Sequence, residues 1–141
     1  MTVDNVLAEL YLDGTHISLP SSLRSNWVTT KSVPFNPNTR VIAVHGVNQG
    51  NVAGILASST GGSVLTSCWW LCTPSTPAAG WMNPGFDASS WSPAVAIQQN
   101  GPNTYWGTQG FVNRSAYWIW TNYPTDNLAS VKTDAYCRFE L

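Results

Sequence analysis

The chain has 141 residues, and a domain of that length buries roughly two thirds of the surface its unfolded chain exposes, so 1–141 reads as one domain that folds without a partner. Only 9% of the residues are Asp, Glu, Lys or Arg, and six basic side chains stand against seven acidic ones with no run of either sign. That balance excludes a phosphate-tracking surface, and no stretch reaches the roughly 18 apolar residues of a spanning helix, so neither nucleic acid nor membrane insertion is expected.

The opening MTVDN lacks the charged and apolar regions of a secretory signal and reads as the start of a mature or recombinant chain. Residues 6–12, VLAELYL, alternate Val6, Ala8, Leu10 and Leu12 against Leu7, Glu9 and Tyr11, the period of a strand. They run into Asp13-Gly14, a dipeptide that favours primed hairpin turns. The return strand is expected over 15–19, then a polar loop to Trp27 and a further strand over 28–33. A turn at Phe35-Asn36-Pro37 precedes the β-branched run 40–48, and Asn48-Gln49-Gly50-Asn51 turns the chain into a short apolar strand within 52–59. After Gly61-Gly62 come residues 64–73, VLTSCWWLCT. The Pro- and Gly-rich stretch from 74 to 102 holds one strand, 94–98, and 117–121 and 134–141 complete the extended segments. No helical period holds for ten residues, so about eight short strands predict an all-β sandwich.

Eight tryptophans, at 27, 69, 70, 81, 91, 106, 118 and 120, are the strongest compositional feature. Most are expected in the core, including Trp91, Trp118 and Trp120, the last two sharing a strand face. A binding role needs only one or two left exposed.

Three cysteines are too few for a metal cage, so none is expected. If 65–73 is a strand, Cys68 and Cys72 lie about 13 Å apart and cannot pair. In the last strand Ala135, Cys137, Phe139 and Leu141 share the apolar face. The reading therefore pairs Cys72 with Cys137 and leaves Cys68 as a buried small apolar group or, second, an exposed thiol able to join two chains.

Asp4-Asn5, YLDG at 11–14, RVIAVHGVN at 40–48, GILAS at 54–58, Trp70-Leu71-Cys72, FDASSW at 86–91, AYWIWT at 116–121 and AYCRFEL at 135–141 together resemble the galactose-binding-domain-like jelly rolls. The resemblance covers nearly the whole chain and implies a jelly-roll β-sandwich of a kind found in non-catalytic sugar-binding domains and extracellular lectins. It supports the bridge between Cys72 and Cys137 independently. It also implies that Phe86, Asp87 and Trp91 build a structural corner, with Asp87 capping a turn. Many members hold a structural calcium ion, but no acidic cluster marks a calcium loop here and no cofactor is expected.

Glycoside hydrolysis needs two carboxylates flanking a bond, and Glu9, Glu140 and the five Asp form no such constellation. There is no H-E-x-x-H spacing around His16 or His45 and no G-x-S-x-G elbow. The reading is a secreted carbohydrate-binding protein, a lectin, and not an enzyme. Its partner is a glycan or free sugar. Its site would combine Tyr105 and Trp106 as aromatic faces with Asn103, His45 and Asn48 as hydrogen-bonding groups. A homo-oligomer is expected because single shallow sugar sites gain from multivalency. The alternative is a structural or adhesive extracellular matrix module that binds protein.

Overall fold

A computed structural model of the chain describes residues 1–124 and 127–141. Its strands are β1 Thr2–Asp4, β2 Val6–Leu12, β3 Thr15–His16, β4 Val41–Val47, β5 Gly54–Leu56, β6 Leu71–Thr73, β7 Ser92–Pro93, β8 Val95–Gln99, β9 Tyr117–Trp120 and β10 Asp134–Glu140, with a short α-helix, α1, at Ser21–Arg24 and a 3-10 turn at Leu128–Ser130. They form two antiparallel sheets, ordered β1-β5-β9-β8 and β3-β2-β4-β10-β6-β7, so the all-β sandwich expected from the sequence is present.

Asp13 and Gly14 both take positive φ, 49° and 80°, the pair a type I′ hairpin turn demands between β2 and β3. The Asp13 carboxylate then accepts the amides of Arg40 and Val41 at 2.9 and 2.8 Å, which fastens the hairpin to the start of β4. The alternation expected along β2 is reversed at its beginning. Leu7 pairs with Gly46 and Glu9 with His45, leaving Ala8 as a bulge. The extra residue shifts the parity, so Leu7 joins Leu10 inside in place of Ala8.

Two expected strands are corrected. Residues 28–33 form none: Val28 is exposed, and Lys31 exchanges its backbone hydrogen bonds only with Met1. The Lys31 side chain is buried, its ammonium donating to Thr2 Oγ1 and the Asn26 carbonyl, and burial pushes it below the ordinary lysine range. Within 64–73 β6 is the one strand, preceded by a single antiparallel bridge of Leu65 to Ser58. A turn closes at 67–70 through the Trp70 amide to the Ser67 carbonyl, 3.2 Å, and leaves Cys68 exposed rather than in the core.

Cys72 and Cys137 are bonded across neighbouring strands β6 and β10. A bridge spanning 65 residues of chain is worth about 4 kcal/mol by loop-entropy reasoning.

The apolar side chains collect in three clusters. The central one, between the sheets, contains Leu7, Leu10, Ile42, Val44 and Cys137 from the larger sheet and Val3, Ile55 and Ile119 from the smaller. A second covers the outer face of the four-stranded sheet with Trp106, Val112 and Ala116 over Leu56 and Trp118. The third sets Trp81 over Val41 and Ala43 on the outer face of the six-stranded sheet, flanked by Tyr11, Phe86, Trp91 and Tyr136. Each sheet is therefore covered on both faces, a task in which every tryptophan but Trp69 takes part. Trp118 and Trp120 are both buried, as expected, but in different clusters. Trp120 lies so close to Gly46, and Trp118 to Gly54, that a Cβ at either glycine would meet the indole at 2.9 and 2.7 Å.

Candidate functional site

The residues expected to bind sugar do not come together. Trp106 is 4% exposed, a correction to its role as an open stacking face. Its ring lies parallel to Trp118 at 4.3 Å, and its indole N–H donates to the buried Asp4 carboxylate at 2.7 Å. The loop around it is fixed by a buried polar network: Asn100 donates to the carbonyls of Gln109 and Val112 and accepts the Gln109 amide, while Gln109 donates to the Trp106 carbonyl. Tyr105 and Asn103 are exposed on this loop. Asn48 is buried, its carbonyl oxygen accepting the Gly50 amide, so it shapes its own turn.

His45 lies on β4 on the outer face of the other sheet. Its Nε2 is 2.8 Å from Asp134 and its Nδ1 3.6 Å from Glu9, and its ring stacks on Tyr136 at 4.0 Å. The imidazole thus ties β2 to β10 across β4. Burial, with the neighbouring Glu9 carboxylate adding to it, raises the Tyr11 phenol above its usual value. Both ring nitrogens of His45 are engaged and one ring face is covered, so this cluster reads as a fastening of the sheet.

The arrangement best suited to a ligand lies where β6, the end of β10 and the loop at 86–89 meet around a hollow of about 360 Å³. Trp69 forms one side of it, 81% exposed. Its position follows from the local sequence. Trp69 and Trp70 are adjacent in a tight turn and cannot both turn inward. Trp70 is fully buried, its N–H donating to the Leu65 carbonyl at 3.0 Å, and Trp69 is left in water.

Asp87, Ser89, Arg138 and Glu140 supply the polar lining of the hollow. Asp87 accepts the Ser89 amide at 2.9 Å, the turn-capping role expected of it, and hydrogen bonding from Ser89 holds its carboxyl below the usual range. Arg138 is only 3% exposed. It donates to the carbonyls of Phe86 and Asn83 at 2.9 and 3.1 Å and to Glu140 at 2.7 Å, and it lies over the Phe86 ring. Its Nε–H is buried with no partner. The hollow therefore offers an indole and two carboxylates as acceptors, while the buried Arg138 guanidinium holds the loop at 83–89 and the Glu140 carboxylate in place.

Sequence reasoning passed over Trp69, Arg138 and Glu140, and gave Asp87 a structural role alone. The signal available for Trp69 was the Trp-Trp dipeptide itself, since neighbouring residues in an extended or tightly turned chain project to opposite sides. Nothing in the sequence placed Arg138 beside residues 83–89.

Among the described residues no group of three or more His, Cys, Asp or Glu side chains is placed to hold a metal ion, and no helix is long and apolar enough to cross a membrane. Comparisons with family models, curated proteins and solved structures find no match. The class of protein is therefore the one that its own architecture defines, a two-sheet antiparallel β-sandwich with a disulfide between neighbouring strands.

Proposed function

We propose that this chain is a secreted, non-catalytic carbohydrate-binding domain, a lectin of the galactose-binding-like jelly-roll kind, and that the hollow beside Trp69 is its sugar site. The observation that carries the reading is a single one: an indole standing in water on the rim of a concavity whose other walls present fixed planar polar groups. Pyranose rings are recognised by that combination, an aromatic face against their C–H side and carboxylate or guanidinium groups against their hydroxyls. Two carboxylates against one guanidinium make the hollow net acidic, which favours neutral over sulfated or uronic sugars. The disulfide supports an extracellular setting, and the sequence resemblance supports the same function.

The test is a glycan array followed by calorimetric titration of the selected sugar into the wild type and the Trp69→Ala and Glu140→Gln variants. Trp69→Ala is expected to weaken binding by about tenfold or more. Selective binding that survives Trp69→Ala unchanged would move the site elsewhere, and an array with no selective binder would remove the lectin reading.

Cys68 and Trp69 standing exposed side by side favour a second reading, the adhesive matrix module that binds protein. In that case a protein ligand is lost with Trp69→Ala and free sugars do not compete for it. Both readings call for a homo-oligomer, because exposed apolar side chains and avidity favour association. Size exclusion with light scattering on the same samples would read a mass near 15.3 kDa if the chain is instead monomeric.

A further inference from the structure

The sandwich is open along one edge. Residues 28–33 form no strand there, and the irregular chain at 30–37 makes one wall of a cleft of about 750 Å³ that enters between the two sheets. Leu10, Leu12 and Ile42 of the six-stranded sheet line one side of it, and Ala57 and Val64, from the segment after β5, the other. Protein interiors pack to near crystal density and leave few voids larger than a water molecule, so space of this size against core side chains is a feature of the fold. Its volume and mainly apolar walls are those of a small-molecule site.

A second, independent observation lies at the mouth. Phe111 also lines the cleft, is fully exposed, and sits at φ 64°, a conformation that a bulky residue rarely adopts. The loop carrying it is tied to the far wall by the Thr30 hydroxyl, which donates to the Gly110 carbonyl at 2.8 Å. An apolar ring is thus held in water beside an apolar opening.

The lining also constrains the ligand's charge. Lys31 is the one charged side chain among the lining residues, and its ammonium is spent on Thr2 and Asn26. The Met1 amino group, which also lines the cleft, donates to the Lys31 carbonyl and is lowered to about 6 by burial and by Lys31, so no cation is free to receive an acid. The polar groups left are hydroxyls, among them Ser58, Thr60 and the Ser59–Ser63 pair at 3.1 Å.

We propose that this cleft binds a small uncharged lipophile, an alkyl or isoprenoid chain with a hydroxyl or ester head. The chain lies against Leu10, Ile42 and Val64 beneath Phe111, and the head meets the serine hydroxyls. This site is separate from the sugar hollow and does not depend on the glycan reading.

The experiment is fluorescence titration of the full chain with the neutral probe N-phenyl-1-naphthylamine, displaced by dodecanol or by dodecanoate, each below its micelle concentration. Saturable enhancement is expected, with dodecanol displacing the probe at roughly one tenth of the dodecanoate concentration. Phe111→Ser, at a position with no packing to lose, should weaken the probe several-fold, and Val33→Trp, which narrows the mouth, should weaken it further, with circular dichroism confirming each fold. If Val33→Trp does not fold, Phe111→Ser decides. The proposal is overturned by a wild type that shows no saturable enhancement, by probe binding unaltered in Phe111→Ser, or by dodecanoate displacing as well as dodecanol.

Discussion

The two outer faces of the sandwich are covered by the same kind of side chain to opposite effect. Over the four-stranded sheet Trp106 lies flat on Trp118, 20° from parallel, and the Asn100–Gln109 network closes the loop above it. Over the six-stranded sheet Trp81 meets Tyr11 and Tyr136 nearly edge-on, at 78° and 87°, and Trp91 meets Phe86 at 65°. On the first face a loop tied down by its own buried hydrogen bonds seals the surface. Edge-on packing fans the rings apart, and beyond the fan the chain leaves a hollow into which Arg138 and Glu140 extend. Aromatic content alone does not make a binding face; what differs is whether a loop held by buried hydrogen bonds closes over the rings.

The largest test of that contrast is Trp106→Ala. It removes a buried indole and strands the Asp4 carboxylate, and it should cost about 3–5 kcal/mol in denaturant melts while any folded fraction keeps the hollow's affinity. Trp69→Ala should change stability by no more than about 0.5 kcal/mol. Equal losses in the two variants would mean that the faces are not different in kind.

An intermediate effect is expected at Arg138. Arg138→Met keeps the apolar stem but releases the Phe86 and Asn83 carbonyls and the Glu140 carboxylate, and a loss of about 2–3 kcal/mol is expected by thermal melting together with weakened sugar binding. A variant as stable as the wild type would show that the loop at 83–89 is held by its aromatic rings alone.

The smallest effect belongs to the sealed face. Burial raises the Asp4 carboxyl above the usual range against the opposing Trp106 hydrogen bond. A raised folded-state value means that the ionised form is disfavoured in the fold. The penalty is absent at acid pH, where the group is protonated folded and unfolded; it sets in as pH rises past the unfolded-state value and is complete above the folded-state value. Asp4→Asn keeps an acceptor for Trp106 without the charge. Its melting temperature relative to the wild type should therefore rise from acid to neutral pH. A difference that shrinks over that range would reverse the assignment.

Legibility in the sequence was uneven for physical reasons. The Asp13-Gly14 turn, β4, β9 and β10 were readable because each obeys a local rule, either a dipeptide with special φ or a run of β-branched and aromatic residues. The Cys72–Cys137 bridge was readable because the face of Cys137 follows from β10 parity. The bulge at Ala8 was not, since one extra residue leaves no mark on composition yet moves Leu7 to the other side. Residues 28–33 carry β-branched side chains, but a strand needs a neighbour with free hydrogen-bonding groups, and that is a tertiary fact. Trp106 was misplaced because an Asn- and Gly-rich loop is polar by composition whether its amides face water or, as with Asn100, hold a loop shut. The hollow assembles from residues as far apart as Trp69, Asp87 and Arg138, a proximity that only the register of β6 on β10 creates.

That register has a consequence beyond stability. Cys72 directly follows Leu71, and Cys137 directly precedes Arg138, so the bridge clamps together two neighbouring strands that both line the hollow. For the binding site proposed above, the bond would act as a compartment lock on recognition. In an oxidising medium the two strands are fixed at bonding distance; in a reducing one they are held by three residue pairs of strand register and by the stacking of Trp70 on Phe139.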